Sequence, residues 1–236
     1  MIDRRRFLEI GGMSVTATVL AACDSMGPAF ARKFLKHAEA KNEGVERQLL
    51  RESTRDMPRR PDQLAGRAFP TYFVADEMPV WDPAVRGAWM LRVDGAVRKP
   101  VTLTLDQLAA LPRYTHTVDH FCVEGWNAVA KWTGVRFQDL ARVVQPTADA
   151  QYVDFASFDA DYHESWDMES AMHPQTLIAY AMDGQWLGPN HGAPARVHSP
   201  VKLGYKNTKY LTRVTFMPAR NGGYWSDRGY EWFGGT

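Results

Sequence analysis

The chain has 236 residues, of which 45% are hydrophobic, and carries 28 Lys and Arg residues against 27 Asp and Glu residues. This length suits one sizeable domain with an ordinary core, and a formal charge of +1 gives no support for a nucleic-acid partner. With only two cysteines, Cys23 and Cys122, the sequence excludes a disulfide scaffold and any zinc or iron–sulfur site that needs three or four thiolates.

The first 31 residues have the pattern of an export signal. A basic head that contains Arg4 and Arg5 precedes an apolar stretch, residues 10–22, which is too short for a stable membrane span. The arginine pair, with Phe-Leu two positions further on, resembles the twin-arginine signal. That resemblance implies export of an already folded protein.

The apolar stretch ends in Leu20-Ala21-Ala22-Cys23, which resembles a bacterial lipobox. Acylation of Cys23 would attach the protein to a membrane surface without spanning the bilayer. The alternative is ordinary cleavage after Ala31. Asp24 resembles an inner-membrane retention signal, so we expect a periplasmic protein that is anchored to the inner membrane through Cys23.

The composition divides the chain into three parts. Residues 1–31 form the signal and lipobox region, residues 32–63 a charged tether, and residues 64–236 one globular domain. The tether has few large apolar side chains and loose helical spacing, so we expect a partly helical spacer.

The globular part is predicted to contain short strands and short helices. The strands are predicted at 89–95, 100–105, 114–121, 152–158, 196–199 and 211–217. The helices are predicted at 106–111, 135–144 and 168–172. Because no regular strand–helix crossover period appears, we expect an α+β fold with a mixed sheet rather than a doubly wound one. No glycine-rich nucleotide-binding loop is present.

Cys122 is the first candidate for chemistry. Its thiol could be buried and inert, a nucleophile partnered by His116 or His120, or a metal ligand. It follows a predicted strand and precedes Glu124-Gly125-Trp126, which indicates a sharp turn at a strand end. Nothing around it matches a cysteine-hydrolase signature.

A second candidate is a basic region near the carboxyl-terminal end. It contains four cations close to two glycines in sequence, which are Arg196, Lys202, Lys206 and Lys209. Guanidinium and ammonium groups neutralise phosphate, so this region suits a phosphorylated ligand rich in heteroatoms. The alternative is a solvated basic loop, and His191 could equally be a structural histidine.

Four motifs in order resemble the molybdopterin-binding domain of the sulfite-oxidase family, and the resemblance covers residues 69–230. They are Cys-Val-Glu-Gly-Trp from Cys122, Lys-Trp-Thr-Gly-Val from Lys131, His-Gly-Ala-Pro-Ala-Arg from His191 and Gly-Tyr-Lys-Asn-Thr-Lys from Gly204. The resemblance implies an oxidoreductase with a molybdenum–molybdopterin cofactor, and Cys122 as the thiolate ligand of molybdenum.

The resemblance also implies roles for other residues. The cofactor contacts that it implies, besides Cys122, are Ser157, His191, Arg196, Asn207, Thr208 and Lys209. Glu124 would lie close to the metal and take part in catalysis. One departure concerns Ala75-Asp76-Glu77, where many members carry Arg-Asn-His, and Tyr72 is a possible substitute for those cofactor contacts.

The cysteine motif is closer to the periplasmic methionine-sulfoxide reductase type than to sulfite oxidase proper, since no basic run follows Cys122. This implies two-electron oxygen-atom transfer, with reduction of a small or protein-bound sulfoxide such as methionine sulfoxide. The absence of a haem-attachment motif implies a separate electron-transfer partner, either quinone-linked or a cytochrome. Oxidation of sulfite or another oxyanion, and a non-catalytic module that binds a cofactor or partner, remain as alternatives.

Overall fold

The computed structural model describes residues 29–50, 69–159 and 161–236. The twin-arginine and lipobox predictions therefore fall outside the described residues. The tether prediction overlaps helix α1 (Ala29–Leu50), which belongs to its own compact unit and carries an ion pair of 2.7 Å between Arg47 and Glu43. Among the described residues, no helix combines the length and the apolar character needed to cross a bilayer.

The second compact unit contains ten strands and four short α-helices in its described residues. The strands are β1 (Met90–Gly95), β2 (Val101–Thr104), β3 (Arg113–Phe121), β4 (Asn127–Arg136), β5 (Tyr152–Ser157), β6 (His163–Asp167), β7 (Leu177–Met182), β8 (Gln185–Trp186), β9 (Arg196–His198) and β10 (Leu211–Met217). The helices are α2 (Pro83–Arg86), α3 (Leu105–Ala109), α4 (Phe137–Val144) and α5 (Met168–Ala171).

The ten strands form two sheets. The first has the order β2-β1-β10-β5-β6, and within it only β1 and β10 pair in parallel. The second has the order β3-β4-β7-β8, with β9 added against β7, and all of its pairs are antiparallel. Short helices with one mixed and one antiparallel sheet confirm the α+β prediction.

One apolar core joins the two sheets. Leu91, Phe155 and Val214 of the first sheet are fully buried in the same cluster as Ile178 of the second. Helix α4 contributes the buried side chains Phe137, Leu140, Ala141 and Val144, which lie one helical turn apart. Burial of this apolar surface is the main stabilising contribution to the fold.

The predicted helix at 135–144 begins two residues later than expected. Val135 and Arg136 are the last residues of β4, paired with Ile178 and Leu177 of β7. Gly134 lies so close to β7 that a Cβ atom there would be 2.2 Å from the Ile178 carbonyl oxygen. The two strands can approach this closely because residue 134 has no side chain.

Candidate cofactor site

A cavity lies at the end of β3. It is also bordered by the segment before β1, the loop after β5, and the loop between β9 and β10. Six of the predicted site residues line it, namely Cys122, Glu124, Ser157, Arg196, Asn207 and Lys209. The described structure therefore brings together residues that are up to 87 positions apart in the sequence.

The turn after β3 presents the Cys122 thiol to the cavity. The Cys122 amide donates to the Trp126 carbonyl at 2.9 Å, and the Gly125 amide donates to the Cys122 carbonyl at 3.0 Å. Gly125 has a φ of 84°, which glycine adopts at little cost. These bonds confirm the sharp turn that was predicted from Glu124-Gly125-Trp126.

The surroundings of Cys122 do not activate it as a nucleophile. Burial and the nearby Glu124 carboxylate raise the pKa of the thiol. The Glu124 Oε2 atom lies 3.9 Å from Sγ and also accepts a hydrogen bond of 3.1 Å from Trp126 Nε1. Nucleophilic cysteines have lowered pKa values, whereas a bound metal ion deprotonates a ligating thiol directly. The raised pKa thus disfavours the nucleophile interpretation, and the position of Cys122 at the cavity disfavours a buried, inert thiol, which leaves the metal-ligand interpretation.

Gly204 is the residue that allows the loop after β9 to approach Cys122. A Cβ atom on Gly204 would lie 3.0 Å from His120 Nε2 and 3.6 Å from Cys122 Sγ. The first distance is tighter than an ordinary van der Waals contact. The glycine of the Gly-Tyr-Lys motif therefore sets how closely this loop approaches the thiol.

Arg196 places a buried positive charge at the cavity. Its side chain is 2% exposed, and its nitrogens donate to the carbonyls of Val197, His191 and Asn207 at 3.2 Å each. Among the described residues no carboxylate pairs with it, and burial lowers its pKa to about 10. A buried cation without an acidic partner is suited to bind an anionic ligand.

Lys209 supplies a second cation to the same cavity. Its Nζ donates to the Tyr72 carbonyl and, at 3.0 Å, to the Asn190 carbonyl. Burial and the charge of Arg196 lower the pKa of Lys209 to about 7. Both of these partners are neutral carbonyls, so the charge of Lys209, which is carried fully below this pKa, is left for a ligand.

The other two cations of the basic region do not face the cavity. Lys206 is fully buried and lies 2.5 Å from Glu164 Oε2, and Lys202 Nζ lies 3.6 Å from Asp167 Oδ2 and 2.5 Å from the Phe233 carbonyl. The prediction that all four cations surround a phosphorylated ligand is thus wrong for Lys202 and Lys206. Their ion pairs stabilise the fold instead.

Four of the predicted contact residues differ in whether their polar side-chain atoms already have hydrogen-bond partners within the protein. The Asn207 amide is fully used, since it accepts from the Ser199 amide and donates to the Lys202 and Leu203 carbonyls. The Ser157 hydroxyl accepts from the Asp159 amide at 2.8 Å. Thr208 Oγ1 and His191 Nδ1 are buried without a hydrogen-bond partner among the described residues.

Residues 69–75 cross the cavity and are called here the crossing segment. Its Val74 and Ala75 amides donate to the two oxygens of Asp159 at 2.9 and 3.0 Å. The ring of Tyr72 stacks on Trp126 with a centroid distance of 5.9 Å, and burial together with the nearby Glu124 carboxylate raises the pKa of its hydroxyl. Tyr72, the possible substitute for the missing Arg-Asn-His contacts, therefore lines the cavity. Asp159 also lines it, and the sequence analysis did not predict this residue.

The described residues contain no group of three or more His, Cys, Asp or Glu side chains arranged to hold a metal ion. Within the same residues, Cys122 provides a single soft thiolate at the cavity.

Comparison with known families decides the assignment. Residues 77–225 match the family described as the oxidoreductase molybdopterin binding domain. The chain belongs to this family. Its cofactor is accordingly a molybdenum–molybdopterin group.

Individual relatives of this oxidoreductase agree with the family. The chain is 43% identical over 178 residues to the "Putative protein-methionine-sulfoxide reductase subunit YedZ1" of Azospira oryzae, covering 75% of this chain and 66% of that protein. It is 34% identical over 144 residues to the protein-methionine-sulfoxide reductase catalytic subunit MsrP of Ralstonia nicotianae, covering 55% of this chain and 44% of the relative. The chain thus spans 66% or less of the length of these relatives.

The fold of this molybdopterin-binding domain also occurs in a solved structure. The sulfane dehydrogenase SoxCD of Paracoccus pantotrophus superimposes with a TM-score of 0.53 at 23% identity, covering 56% of this chain and 38% of that chain. At this identity the similarity shows the shared fold alone.

The cavity fits the cofactor on its own geometry. Arg196 and Lys209 provide positive charge for a phosphate, and Cys122 provides a soft thiolate. The buried polar atoms at or beside the cavity that have no protein partner among the described residues include His191 Nδ1, Thr208 Oγ1 and Tyr210 Oη. Buried polar atoms are normally hydrogen-bonded, so a ligand with many heteroatoms accounts for them.

Proposed function

We propose that this oxidoreductase reduces a sulfoxide, such as methionine sulfoxide, by two-electron oxygen-atom transfer. The observation that carries the proposal is the Glu124 carboxylate, whose Oε2 atom lies 3.9 Å from Cys122 Sγ. A negative charge beside the metal ligand disfavours an anion such as sulfite and tolerates a neutral sulfoxide. The names of the relatives, which are methionine-sulfoxide reductase subunits, support the same substrate.

In this proposal each residue at the cavity has a distinct role. Cys122 supplies the thiolate to molybdenum, and Arg196 and Lys209 hold the phosphate end of the cofactor. His191 and Thr208 offer hydrogen bonds to it, while Ser157 and Asn207 shape the cavity through the backbone that they hold. The bound cofactor supplies two-electron redox chemistry and transfer of an oxygen atom.

Tyr72 would supply a proton. Reduction of a sulfoxide to a thioether and water consumes two electrons and two protons, of which the second would come from solvent. Desolvation and the nearby Glu124 carboxylate raise the pKa of Tyr72, which keeps the phenol protonated. The Tyr72 hydroxyl is thus suited to hold a proton at the edge of the site.

The remaining features of the proposal concern location. A twin-arginine signal at Arg4 and Arg5 would export the folded protein to the periplasm, and acylated Cys23 would anchor it to the inner membrane. Residues 1–31 would be the signal and lipobox region, 32–63 the tether and 64–236 the catalytic domain. Electrons would come from a separate quinone-linked protein or cytochrome.

The first test measures molybdenum in protein purified from a molybdate-replete host. We expect near-stoichiometric metal in the wild type and loss of metal, or an altered metal spectrum, in the Cys122→Ser variant. The matched control is Cys23→Ser, which removes the other cysteine and should leave the metal content unchanged. Molybdenum that is absent from the wild type would contradict the enzyme proposal.

The second test identifies the substrate. With a reduced dye as electron donor, methionine sulfoxide should cause dye oxidation, whereas sulfite should not reduce the oxidised dye. Glu124→Gln removes the negative charge with little change in shape, so it should weaken the discrimination against sulfite without loss of molybdenum. Sulfite-dependent dye reduction by the wild type would replace this proposal with sulfite oxidation.

A further inference from the structure

His120 is a buried side chain to which no role has yet been given. It lies two residues before Cys122 at the end of β3, is 3% exposed, and lines the cavity. Its Nδ1 atom is buried without a hydrogen-bond partner among the described residues. A buried imidazole nitrogen without a partner is costly in a folded protein unless a ligand or water completes it.

The ring of His120 is fixed in orientation by its neighbours. Its centroid lies 5.5 Å from the stacked ring of His198, 5.2 Å from Phe69 and 5.9 Å from Trp126. His198 in turn stacks on Trp132 at 4.2 Å. A side chain enclosed by aromatic rings in this way has little freedom to rotate, so its nitrogens keep fixed directions.

The position of His120 relative to Cys122 is defined by Gly204. His120 Nε2 and Cys122 Sγ lie 3.0 and 3.6 Å from the point that a Cβ of Gly204 would occupy. Both atoms thus lie beside Gly204, so Nε2 is the imidazole nitrogen on the Cys122 side, whereas the unpartnered nitrogen is Nδ1. Arg196, which bears the unpaired cationic charge, lines the same cavity.

We propose that His120 is a further cofactor-contacting residue, whose imidazole hydrogen-bonds a heteroatom of the molybdenum–molybdopterin group beside Cys122. The stacked pair of His198 and Trp132, neither of which is among the residues that line the cavity, positions this imidazole from behind. The inference rests on the family assignment and on the proposed role of Cys122. Residues that hydrogen-bond around a metal centre typically affect metal retention or activity about 10- to 100-fold.

The test compares holoenzymes that carry His120→Phe, His120→Gln or His198→Phe. Phenylalanine keeps the aromatic stacking and removes the hydrogen-bonding nitrogens, and glutamine keeps a donor and an acceptor. Molybdenum per protein after gel filtration and the electron paramagnetic resonance spectrum of the Mo(V) state are measured for each. Circular dichroism and thermal unfolding show whether each variant is folded.

We expect His120→Phe to retain about tenfold less molybdenum than the wild type, or to show an altered Mo(V) spectrum. His120→Gln should lie between the two proteins. His198→Phe, the matched control, should unfold at a lower temperature but keep the wild-type spectrum. If His120→Phe does not fold, His120→Gln beside His198→Gln makes the same comparison.

Two results would overturn the inference alone. One is wild-type molybdenum content with an unchanged Mo(V) spectrum in the His120 variants, and the other is an equal spectral change in the His198 variant. Wild-type protein without molybdenum would instead overturn the proposed function together with this inference. The two failures are therefore distinguishable.

Discussion

At the scale of single residues, charge balance inside the cavity is the dominant feature. Burying a cation without a counter-ion is strongly unfavourable, and a protein retains such a group where a ligand supplies the opposite charge. Arg196 fits this description, because its hydrogen bonds go to three backbone carbonyls. The free-energy cost of burying the Arg196 guanidinium is therefore offset when an anionic cofactor is bound.

The first prediction concerns Arg196→Gln. The variant loses the buried charge and should retain about tenfold less molybdenum than the wild type, since hydrogen bonds to charged groups contribute about 1.5–3 kcal/mol. The control is Arg213→Gln, which removes a half-exposed partner of Asp94 on the first sheet. The measurement is the molybdenum content of both variants. Equal molybdenum in the two would contradict a cofactor role for Arg196.

The second prediction concerns the pH dependence caused by Lys209. In the ligand-free protein its pKa is about 7, so the ammonium loses its proton as the pH rises through neutrality. Because an anion binds the protonated form, affinity for pyrophosphate should fall between pH 6 and pH 9. Lys209→Arg keeps the charge throughout, so its calorimetric affinity should fall less over this range. Parallel pH profiles for the two proteins would refute the prediction.

At the scale of elements, the sequence predicted six of the ten strands in the described residues and missed β4, β6, β7 and β8. Strand β6 has the sequence His-Glu-Ser-Trp-Asp, in which charged residues occupy buried positions. The pattern of alternating apolar residues fails there because Glu164 is buried against Lys206, a partner 42 positions away in the sequence. Local periodicity cannot reveal a pairing that depends on the tertiary structure.

The third prediction concerns the crossing segment, whose backbone is held by Asp159. Asp159→Ala removes the acceptor of two amide hydrogen bonds, at Val74 and Ala75. Hydrogen bonds to a charged group contribute about 1.5–3 kcal/mol each, so amide exchange there should accelerate about tenfold or more. Hydrogen–deuterium exchange of residues 69–75 measures the effect. Asp149→Ala, an exposed loop substitution, should leave the rates unchanged.

At the scale of the whole molecule, the buried ion pair of Lys206 and Glu164 ties the carboxyl-terminal segment to the sheets. Glu164 also accepts from the Trp225 amide and the Ser226 hydroxyl at 2.8 and 3.0 Å. Both members of the pair are fully buried. Removing one partner of such a pair leaves an uncompensated charge, which is far more costly than breaking a surface pair.

The fourth prediction follows from this pair. Lys206→Met should lower the free energy of unfolding by about 3–5 kcal/mol, because Glu164 is then left buried without its cation. The double variant with Glu164→Gln should recover part of the loss. Lys131→Met, at an exposed position, should change stability by about 0.5 kcal/mol or less. Chemical denaturation measures all three, and a single variant as stable as the control would contradict the prediction.

Much of the site could be predicted from the sequence, because its motifs are local. Cys122 directly follows strand β3, and Arg196 is the first residue of strand β9. Short sequence patterns were therefore enough to select both residues, and both line the cavity. The sequence could not show that Lys209 faces the cavity while Lys202 and Lys206 turn toward Asp167 and Glu164. Three lysines in one short run look alike until the tertiary structure supplies their partners.

The walls of the cavity come from widely separated parts of the chain. Tyr72 belongs to one side and Tyr230 to another, with Cys122 and Arg196 contributed from between them. A growing polypeptide therefore has no complete binding site until synthesis has passed residue 230. Cofactor insertion must then follow nearly complete folding, and a transport route that accepts only finished, folded cargo would suit such a protein.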